Sequence, residues 1–310
     1  MEGTGAELRE LVERSYRGDL TGIRSVAHHT FEDRVILRCE FRAMRPCLLQ
    51  AFTGDVERWL LHQAEVLCHL RAVGFPAPRL VPTADGAPLA RGKAWIGIML
   101  TFVEGEQADH DLRTLERLGE QAGALHRIAG GDLAPSPKAP PSAPSRRREL
   151  DRLEGADLVP ECARSFHRAA VDTWRGLTEL DRLPECVVHG DCWPDNAIRT
   201  PAGEVVLIDW EAAGRGHAVL DLGYLLLATS FSSSAGAGGL VVNRPGIEAV
   251  AGGYGRLRRP TDKELEWLPN AVRFDIVSRA MAMDAFRLGA AGWGGQCVAG
   301  QDAGAARHLG

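Results

Sequence analysis

The chain has 310 residues, of which 45% are hydrophobic and 25% are charged, and its formal net charge is −5 at pH 7. This composition is that of a soluble globular protein long enough to form two lobes. With no strongly basic block, the charge gives no support to nucleic-acid binding, whereas the mild acidity is compatible with a cationic substrate.

The first hundred residues combine strand signals with helix signals. A further strand is expected near "GIRSVAHHT", and a polar turn precedes the last strand of this region. The pattern therefore predicts a small antiparallel sheet that carries one main helix. The elements predicted are helices over 7–17 and 55–75 and strands over 34–41, 46–53 and 94–103.

After a hinge near 101–105 the pattern becomes helical. The Pro/Ser-rich stretch 130–145 predicts a loop or a mobile insert, and the Gly-rich tail from Gly289 predicts disorder. The helical segments expected are 111–128, most of 147–182, and about 219–230, 246–255 and 262–289. The domain prediction is an N-lobe over 1–103, a helical C-lobe over 104–290 and a tail over 291–310.

The cysteines and the apolar runs indicate the compartment. The number of cysteines is odd and none form a CxxC pair, so reduced thiols are the simplest interpretation. The N-terminus lacks the apolar core of a signal peptide, and the run "AVLDLGYLLLATSF" is too short to span a bilayer. These features predict a cytoplasmic protein that does not bind a membrane. Together with the charge, which excludes nucleic acid, the expectation is a monomer or homodimer.

Polar side chains stand at the ends of three short strands in "VVHGDCWPDNAIRTPAGEVVLIDWE". The first strand ends at His189 and Asp191, the next begins at Asn196, and the third ends at Asp209. A hairpin around 201–204 is expected to bring Asn196 and Asp209 together. An amide oxygen and a carboxylate form a hard-oxygen site suited to Mg²⁺. With Asp191 beside it to take a proton from a hydroxyl, the set has the parts of phosphoryl transfer.

This stretch resembles the aminoglycoside phosphotransferase/choline kinase family of protein-kinase-like small-molecule kinases. The catalytic loop H-G-D-x-x-x-x-N of that family stands here as "HGDCWPDN" (189–196), and its metal-binding Asp stands in "LIDWE" (207–211). A "DLG" at 221–223 and an "ALHRI" at 124–128 match two further motifs. The resemblance implies an α+β, protein-kinase-like bilobal fold, with an antiparallel β-sheet N-lobe and a mostly helical C-lobe.

The resemblance also assigns roles to individual residues. Asp191 matches the catalytic base, and Asn196 and Asp209 match the Mg²⁺ ligands. His189 would hydrogen-bond the backbone near Asp209, and Asp221 would accept hydrogen bonds from catalytic-loop amides. A single Asp or Asn at a strand end is often only a turn former, whereas the ordered set of residues is specific to the family.

The sequence departs from the family at the nucleotide-binding lysine. Kinase-like folds place this Lys on the third strand and pair it with a helix Glu. Here Gln50 occupies the lysine position, and Glu65 is the best match for the glutamate. Gln carries no charge, and a hydrogen bond to a charged group is worth about 1.5–3 kcal/mol. Arg38 shares a face with Gln50 if residue 38 pairs with 48, and it is otherwise an exposed strand charge.

The other nucleotide contacts are expected in two places. The loop "SVAHHTFEDR" (25–34) has no glycine, so backbone amides and the hydroxyls of Ser25 or Thr30 would hold the phosphates. The second place is the hinge, at Thr101, Phe102 and Val103.

The acceptor site is expected in the C-lobe. Its candidate residues are Glu211, Trp193, Asp275 and Asp284. Glu211 is open to interpretation as a contact to a second metal or the substrate, or as a surface charge. Trp193 is either a stacking surface or a packed loop anchor. The helix around Asp275 also carries arginines that suit ordinary ion pairs, so the pocket is not obviously a trap for polycations.

The expected function is ATP- or GTP-dependent phosphorylation of a hydroxyl on a small molecule, with Mg²⁺. The acceptor favoured is an antibiotic, such as an aminoglycoside or a nucleoside, in resistance or self-protection. The alternatives are a primary-metabolic kinase for choline, homoserine or a sugar, and a non-catalytic nucleotide-binding protein of the pseudokinase type, since Gln50 replaces the usual Lys.

Overall fold

A computed structural model of the chain describes residues 2–26, 34–155, 161, 164–233 and 240–288. The helices are α1 Glu2–Ser15, α2 Glu57–Ala72, α3 Leu112–Leu125, α4 Ala143–Glu154, α5 Arg164–Leu180, α6 Ala218–Thr229, α7 Arg244–Leu257 and α8 Asp262–Leu288. The strands are β1 Leu20–Ser25, β2 Arg34–Phe41, β3 Cys47–Phe52, β4 Ala90–Arg91, β5 Ile96–Thr101, β6 Glu106–Gln107, β7 Glu185–Val188, β8 Ala197–Arg199, β9 Val205–Leu207, β10 Gly214–His217, β11 Phe231–Ser233 and β12 Leu240–Val242.

The chain divides into two compact units. One comprises Met1–Ala139 and Arg182–Leu268, and the other comprises Pro140–Asp181 and Pro269–Gly310. The first unit includes residues on both sides of the lobe boundary predicted after residue 103, because one core joins Leu60 of α2 to Leu118 of α3. The lobe boundaries stay predictions, and the tail over 291–310 lies outside the described residues.

The predicted antiparallel sheet is present and has five strands in the order β1-β2-β3-β5-β4. Alternation along β2 places Leu37 and Cys39 in a core with Leu8 and Val12 of α1. The opposite face of β2 presents Arg34, Ile36 and Arg38. The two faces of the sheet therefore differ. One packs on α1, and the other packs on α2 through Phe52 and Ile98 and also carries the arginines.

The segment before β5 was predicted to contain a strand and a polar turn, and it forms less strand than expected. In place of a long first strand, the structure has the two-residue β4 and an isolated bridge between Leu80 and Leu100. The prolines at 76, 78 and 82 explain this, because proline has no N–H to donate to a strand ladder. Single backbone hydrogen bonds, such as Val81 N to Met99 O at 2.8 Å, hold the segment to the sheet instead.

Asp111 caps the N-terminus of helix α3, and its side chain accepts hydrogen bonds from the backbone N–H groups of Arg113 and Thr114. The helix then packs closely on α7, and glycines make the approach possible. A Cβ added at Gly253 would lie 1.9 Å from Glu116 O, and one at Gly119 would lie 2.2 Å from Val250 O. The two backbones are thus too close for any side chain at these positions.

Gly253→Ala is expected to lower the free energy of unfolding by about 1–3 kcal/mol, the usual range for overpacking. Gly255→Ala is the matched control, because a Cβ there meets nothing within 4 Å. That change should be neutral or should stabilise the protein by up to about 1 kcal/mol, because Ala is the better helix former. Chemical denaturation of the two variants measures both values, and equal stabilities would contradict the packing described.

In the second unit, α4 packs against α5, and the Trp174 ring of α5 lies 5.7 Å from the Phe274 ring of α8. Helix α8 contains Pro269, the residue at which the two units divide. None of the helices in the described part of the chain combines the length and apolar character that a bilayer-spanning segment needs.

Candidate active site

The catalytic-loop sequence follows β7, which pairs with β10. Gly190 turns the chain there with φ +76°, a left-handed conformation that favours glycine. A Cβ at this position would lie 2.2 Å from Ala212 O, so glycine is required by space as well as by conformation. The loop therefore turns sharply and leaves Asp191 just beyond the strand end.

Asp221 of α6 is buried and holds the start of this loop. Its carboxylate accepts hydrogen bonds from His189 N at 2.5 Å and Gly190 N at 2.8 Å, and it lies 3.1 Å from His126 Nε2. Burial acts to raise the pKa of Asp221, but the hydrogen bond and charge of His126 outweigh it and hold that pKa below its usual value. The backbone contacts are those expected from the sequence, whereas the contact with His126 was not foreseen.

His189 connects the catalytic loop to the strand that precedes Asp209. Its side chain is fully buried, and its Nε2 lies 2.8 Å from Ile208 O. The ring packs against Trp210, with centroids 4.6 Å apart. Burial lowers the pKa of His189, so the imidazole is neutral at pH 7. This is the backbone contact that the sequence predicted for it.

Asp191 is held by two side chains. Asn196 Nδ2 donates to Asp191 Oδ2 at 2.8 Å and to Asp191 O at 3.0 Å. Lys138 Nζ lies 2.6 Å from Asp191 Oδ1. The sequence did not identify Lys138, because it lies 53 residues away in the Pro/Ser-rich stretch.

That Pro/Ser-rich stretch is a loop until α4 begins at Ala143, and its first part lies against β10. Ser136 N donates to Arg215 O at 2.9 Å, and Ser136 Oγ donates to Ala212 O at 2.6 Å. Lys138 N in turn donates to Ser136 Oγ at 3.1 Å. These hydrogen bonds position the backbone at Lys138 so that its side chain contacts the catalytic loop.

Asp209 follows the hairpin of β8 and β9, which the sequence predicted. Ala197 pairs with Leu207, and Ile208 N donates to Asn196 O at 2.9 Å. Asp209 has φ 60°, a left-handed conformation that Asp and Asn tolerate better than most residues. The hairpin therefore brings the backbone at Asn196 beside the residue that precedes Asp209.

Arg34 of β2 extends from the sheet to Asp209 and Glu211. Its Nη2 lies 3.5 Å from Asp209 Oδ1 and 2.5 Å from Glu211 Oε1. Burial raises the pKa of Glu211 to about 8, the neighbouring Asp209 carboxylate adds to this, and Arg34 opposes it. The sequence did not identify Arg34, and it left Glu211 open between a surface charge and a site residue. The structure places Glu211 in this charged cluster.

The neighbour of Gln50 differs from the one predicted. Gln63 of α2, not Glu65, contacts it, with Gln63 Nε2 donating to Gln50 Oε1 at 3.1 Å. Glu65 lies on the exposed face of α2, because Leu60, Ala64 and Leu67 turn the other face into the core. The assignment of Glu65 to this pair is therefore corrected: two neutral amides stand where the Lys–Glu pair was expected.

Arg38 has its own partners. Residue 38 pairs with Leu48, the register that places Arg38 and Gln50 on one face of the sheet. Its guanidinium donates to Glu40 at 2.7 Å and to Glu104 at 3.0 Å, and it lies 4.3 Å from the centre of the Phe102 ring. Arg38 is thus held by these partners on an inner strand of the sheet and is not a simple exposed charge.

A cavity of about 330 Å³ lies beside these groups. Several predicted nucleotide and metal residues line it, namely Gln50, Thr101, Phe102, Val103, Asn196 and Asp209. Arg34 lines it as well. Ser25, the last residue of β1, is not among the lining residues, and Thr30 lies outside the described residues.

The remaining predicted acceptor residues are Trp193, Asp275 and Asp284. Trp193 is half-buried, with its ring 6.5 Å from that of Tyr224, as suits a packed loop anchor. Asp275 lies on α8 in the second unit, and the side chain of Asp284 is outside the described ones. The roles of these residues toward an acceptor stay predictions.

The donor set at this cavity fits Mg²⁺. Asp209 offers carboxylate oxygens, and Asn196, whose Nδ2 is engaged with Asp191, has Oδ1 as its acceptor atom. Both residues line the cavity, and Mg²⁺ in nucleotide sites is bound by one or two such groups together with phosphate oxygens and water.

Comparison with known proteins places these features in a family. Residues 44–259 match the sequence model of the phosphotransferase enzyme family, APH. A homoserine kinase of Rhodospirillum rubrum is 32% identical over 168 residues, which cover 54% of this chain and 52% of the relative. A homoserine kinase of Agrobacterium fabrum is 25% identical over 298 residues, which cover 91% of this chain and 84% of the relative. The first match thus spans only about half the length of that relative.

Among solved structures, an amicoumacin kinase in complex with AMP-PNP and Ca²⁺ has a similar fold. Its TM-score is 0.64 at 15% sequence identity, and the likeness covers 92% of this chain and 86% of that one. The protein-kinase-like α+β fold implied by the sequence is confirmed. The chain belongs to the phosphotransferase enzyme family, as its catalytic-loop and metal-site motifs predicted.

Proposed function

We propose that the protein transfers the terminal phosphoryl group of ATP or GTP to a hydroxyl of a small molecule. The observation that carries this proposal is the contact between Asp191 and Asn196 at 2.8 Å, beside a cavity that Asn196 and Asp209 both line. In this proposal, the carboxylate that would accept a proton stands next to two residues whose oxygens would bind Mg²⁺. That is the arrangement phosphoryl transfer needs.

In this proposal Asp191 accepts the proton of the acceptor hydroxyl. The acceptor oxygen forms a bond with the γ-phosphorus as the bond from phosphorus to the bridging oxygen of the nucleoside diphosphate breaks. Asn196 and Asp209 would hold Mg²⁺, which when bound neutralises charge on the phosphates. Asp221 and His189 act indirectly, because their hydrogen bonds fix the loop that carries Asp191.

For the acceptor, we infer a small hydroxy compound with a carboxylate, such as homoserine. Two observations support this choice. The relatives described above are homoserine kinases, one of them similar over 91% of this chain. In addition, Lys138 Nζ stands 2.6 Å from the base, where a cation suits an anionic acceptor better than a polycationic one. An antibiotic, which the sequence favoured, is the second candidate, and the amicoumacin kinase likeness at 15% identity supports it by fold alone.

A phosphate-transfer screen tests the proposal. Purified protein with Mg²⁺ and either ATP or GTP is incubated with homoserine, choline, sugars, aminoglycosides, macrolides, and peptide and nucleoside antibiotics, and phosphorylated products are detected by mass. Transfer to homoserine supports the first candidate, and transfer only to an antibiotic selects the second. If no acceptor is phosphorylated and no nucleotide binds, a non-catalytic role replaces the proposal.

We further propose that the enzyme works in the cytoplasm. The described cysteines are free thiols, namely Cys39, Cys47, Cys68, Cys186 and Cys192. Burial raises the pKa of the Cys39 thiol to about 12, so it stays protonated and unreactive at neutral pH. Unpaired thiols of this kind are typical of a reducing compartment.

Lys138→Met tests the inferred acceptor class. If Lys138 binds an acceptor carboxylate, its loss should raise the acceptor KM about 10- to 100-fold, the value of a hydrogen bond to a charged group. Nucleotide affinity should not change, because Lys138 contacts Asp191 and does not line the nucleotide cavity. Steady-state kinetics measure both values. Lys93→Met, which removes an exposed lysine, is the control, and an unaltered acceptor KM in Lys138→Met would contradict the inference.

A further inference from the structure

We propose that Arg34 carries the phosphate-binding charge that Gln50 lacks, and that the side chain of Glu211 holds it in place. The usual Lys–Glu pair of strand β3 and helix α2 would thus be replaced by an Arg–Glu pair of strand β2 and the segment after Asp209. This inference rests on the proposed function, since it concerns the nucleotide of the same site.

The position at which the family has its phosphate-binding lysine carries no charge here. Gln50 is 3% exposed and Gln63 is fully buried, and the two amides bond to each other at 3.1 Å. Neither side chain is ionisable, so this pair cannot neutralise any part of a nucleotide's phosphate charge. Phosphate groups bound in proteins are normally met by charge-assisted hydrogen bonds from Arg or Lys. A cation from another element is therefore needed.

Arg34 stands where such a cation is useful. Ile36 pairs with Gln50 and Arg34 pairs with Phe52, so Arg34 and Gln50 lie on one face of the sheet, one pleat apart. The guanidinium lies 5.5 Å from the centre of the Phe52 ring. Its Nη2 is 3.5 Å from the Oδ1 of Asp209, the proposed metal ligand. Phosphates bound to a metal at Asp209 would lie within reach of this side chain.

The guanidinium also has an unused donor. Arg34 Nε is buried and has no hydrogen-bond partner among the described residues. A buried donor left without a partner costs free energy, about 1–3 kcal/mol per group. A phosphate oxygen is a fitting acceptor, because the planar fork of Arg donates two parallel bonds to such groups. Within the described part of the chain, Arg34 is the one Arg or Lys that lines the cavity.

Arg38, the other cation on this face of β2, is bound to other side chains. Arg38 is bound to Glu40 and Glu104 and lies over Phe102, and it does not line the cavity. Arg38 is therefore a matched control for Arg34, since both lie on β2 and on one face of the sheet.

The experiment compares the nucleotide affinity of Arg34→Met with that of Arg38→Met. Isothermal titration with Mg²⁺ gives the Kd for ATP and GTP, and for adenosine and guanosine, which lack phosphates. Arg34→Met should weaken binding of the triphosphate about 10- to 100-fold, as expected for a lost charge-assisted contact. Nucleoside binding should not change, and Arg38→Met should bind the triphosphate as the unaltered protein does.

Two further variants guard against a loss of folding. Removing Arg34 leaves the Asp209 carboxylate without its counter-charge and the Glu211 side chain without its partner, so the double variant Arg34→Met with Glu211→Gln is measured beside the single one. Arg34→Lys retains a charge and should keep most of the affinity.

The outcomes separate this inference from the function on which it rests. Unchanged triphosphate affinity in both Arg34→Met forms would overturn the role of Arg34 alone. So would an equal loss in nucleoside binding, which would show a structural effect. If the unaltered protein binds no nucleotide with Mg²⁺, the proposed function fails, and this assignment fails with it.

Discussion

Replacing Asp191 by asparagine is expected to abolish phosphoryl transfer while the protein stays folded and still binds nucleotide. Asn cannot accept the hydroxyl proton, and general bases of this kind contribute about 10²–10⁴-fold to the rate. The fold should tolerate the change, because the loop is held by hydrogen bonds from His189 N and Gly190 N to Asp221. In the unaltered protein Asn196 Nδ2 donates to the Asp191 carboxylate, and the oxygen of an amide at position 191 can accept the same hydrogen bond.

The measurement is kcat with the acceptor found in the screen, together with the nucleotide Kd and the thermal midpoint. Asp195→Asn is the control, because Asp195 is a carboxylate in the same loop whose ion-pair neighbour is His110 at 3.9 Å. That variant should turn over normally. A folded Asp191→Asn protein with unchanged kcat would remove the central claim of the proposed function.

Asp209→Asn is expected to have an effect of similar size through the metal. The amide retains one oxygen but loses the charge, so it should bind Mg²⁺ weakly, and kcat should fall by about 10²–10³-fold, as for the loss of a group that stabilises transition-state charge. Asn is the appropriate replacement, because the left-handed φ of 60° at this position is tolerated by Asn but would strain Ala. The loss therefore reports on charge and not on backbone strain.

A titration of activity against Mg²⁺ concentration tests this prediction. The Asp209→Asn protein should need far more Mg²⁺ to reach half of its maximal rate, or should not reach a measurable rate at all. Glu204→Gln, an exposed carboxylate at the other end of β9, should show the Mg²⁺ dependence of the unaltered protein. An unshifted titration for Asp209→Asn would refute its role as a metal ligand.

The nucleotide site illustrates how one local pattern misled and another could have helped. Glu65 was the nearest acidic match to the helix Glu, yet it is exposed and Gln63 contacts Gln50. Residues two apart on a helix lie on nearly opposite faces. The spacing of Leu60 and Leu67 already places position 63 toward the core, so the periodicity of α2 contained the correct answer.

The family, the sheet and hairpin, and the catalytic loop with its backbone contacts could all be predicted from the sequence alone. These features follow from short-range order: a strand, a turn and a strand within 25 residues bring His189 to Ile208 O and Asn196 to the strand end before Asp209. The register that pairs residue 38 with Leu48 followed in the same way from a short hairpin, although the sequence also allowed a slip by one.

Which charged side chains meet at the site could not be predicted and is seen only in the folded chain. Lys138 reaches Asp191 across 53 residues of sequence, and Arg34 reaches Asp209 across 175. Neither contact is marked in the sequence by a hydrophobic period or by a motif. The sequence does not distinguish a Lys or Arg that faces water from one that contacts a carboxylate. The packing of whole elements brings these pairs together. Helix α2 contacts the segment after Asp209 through the hydrogen bond from Trp59 Nε1 to Glu211 O at 3.0 Å, and the segment at Ser136 lies against β10.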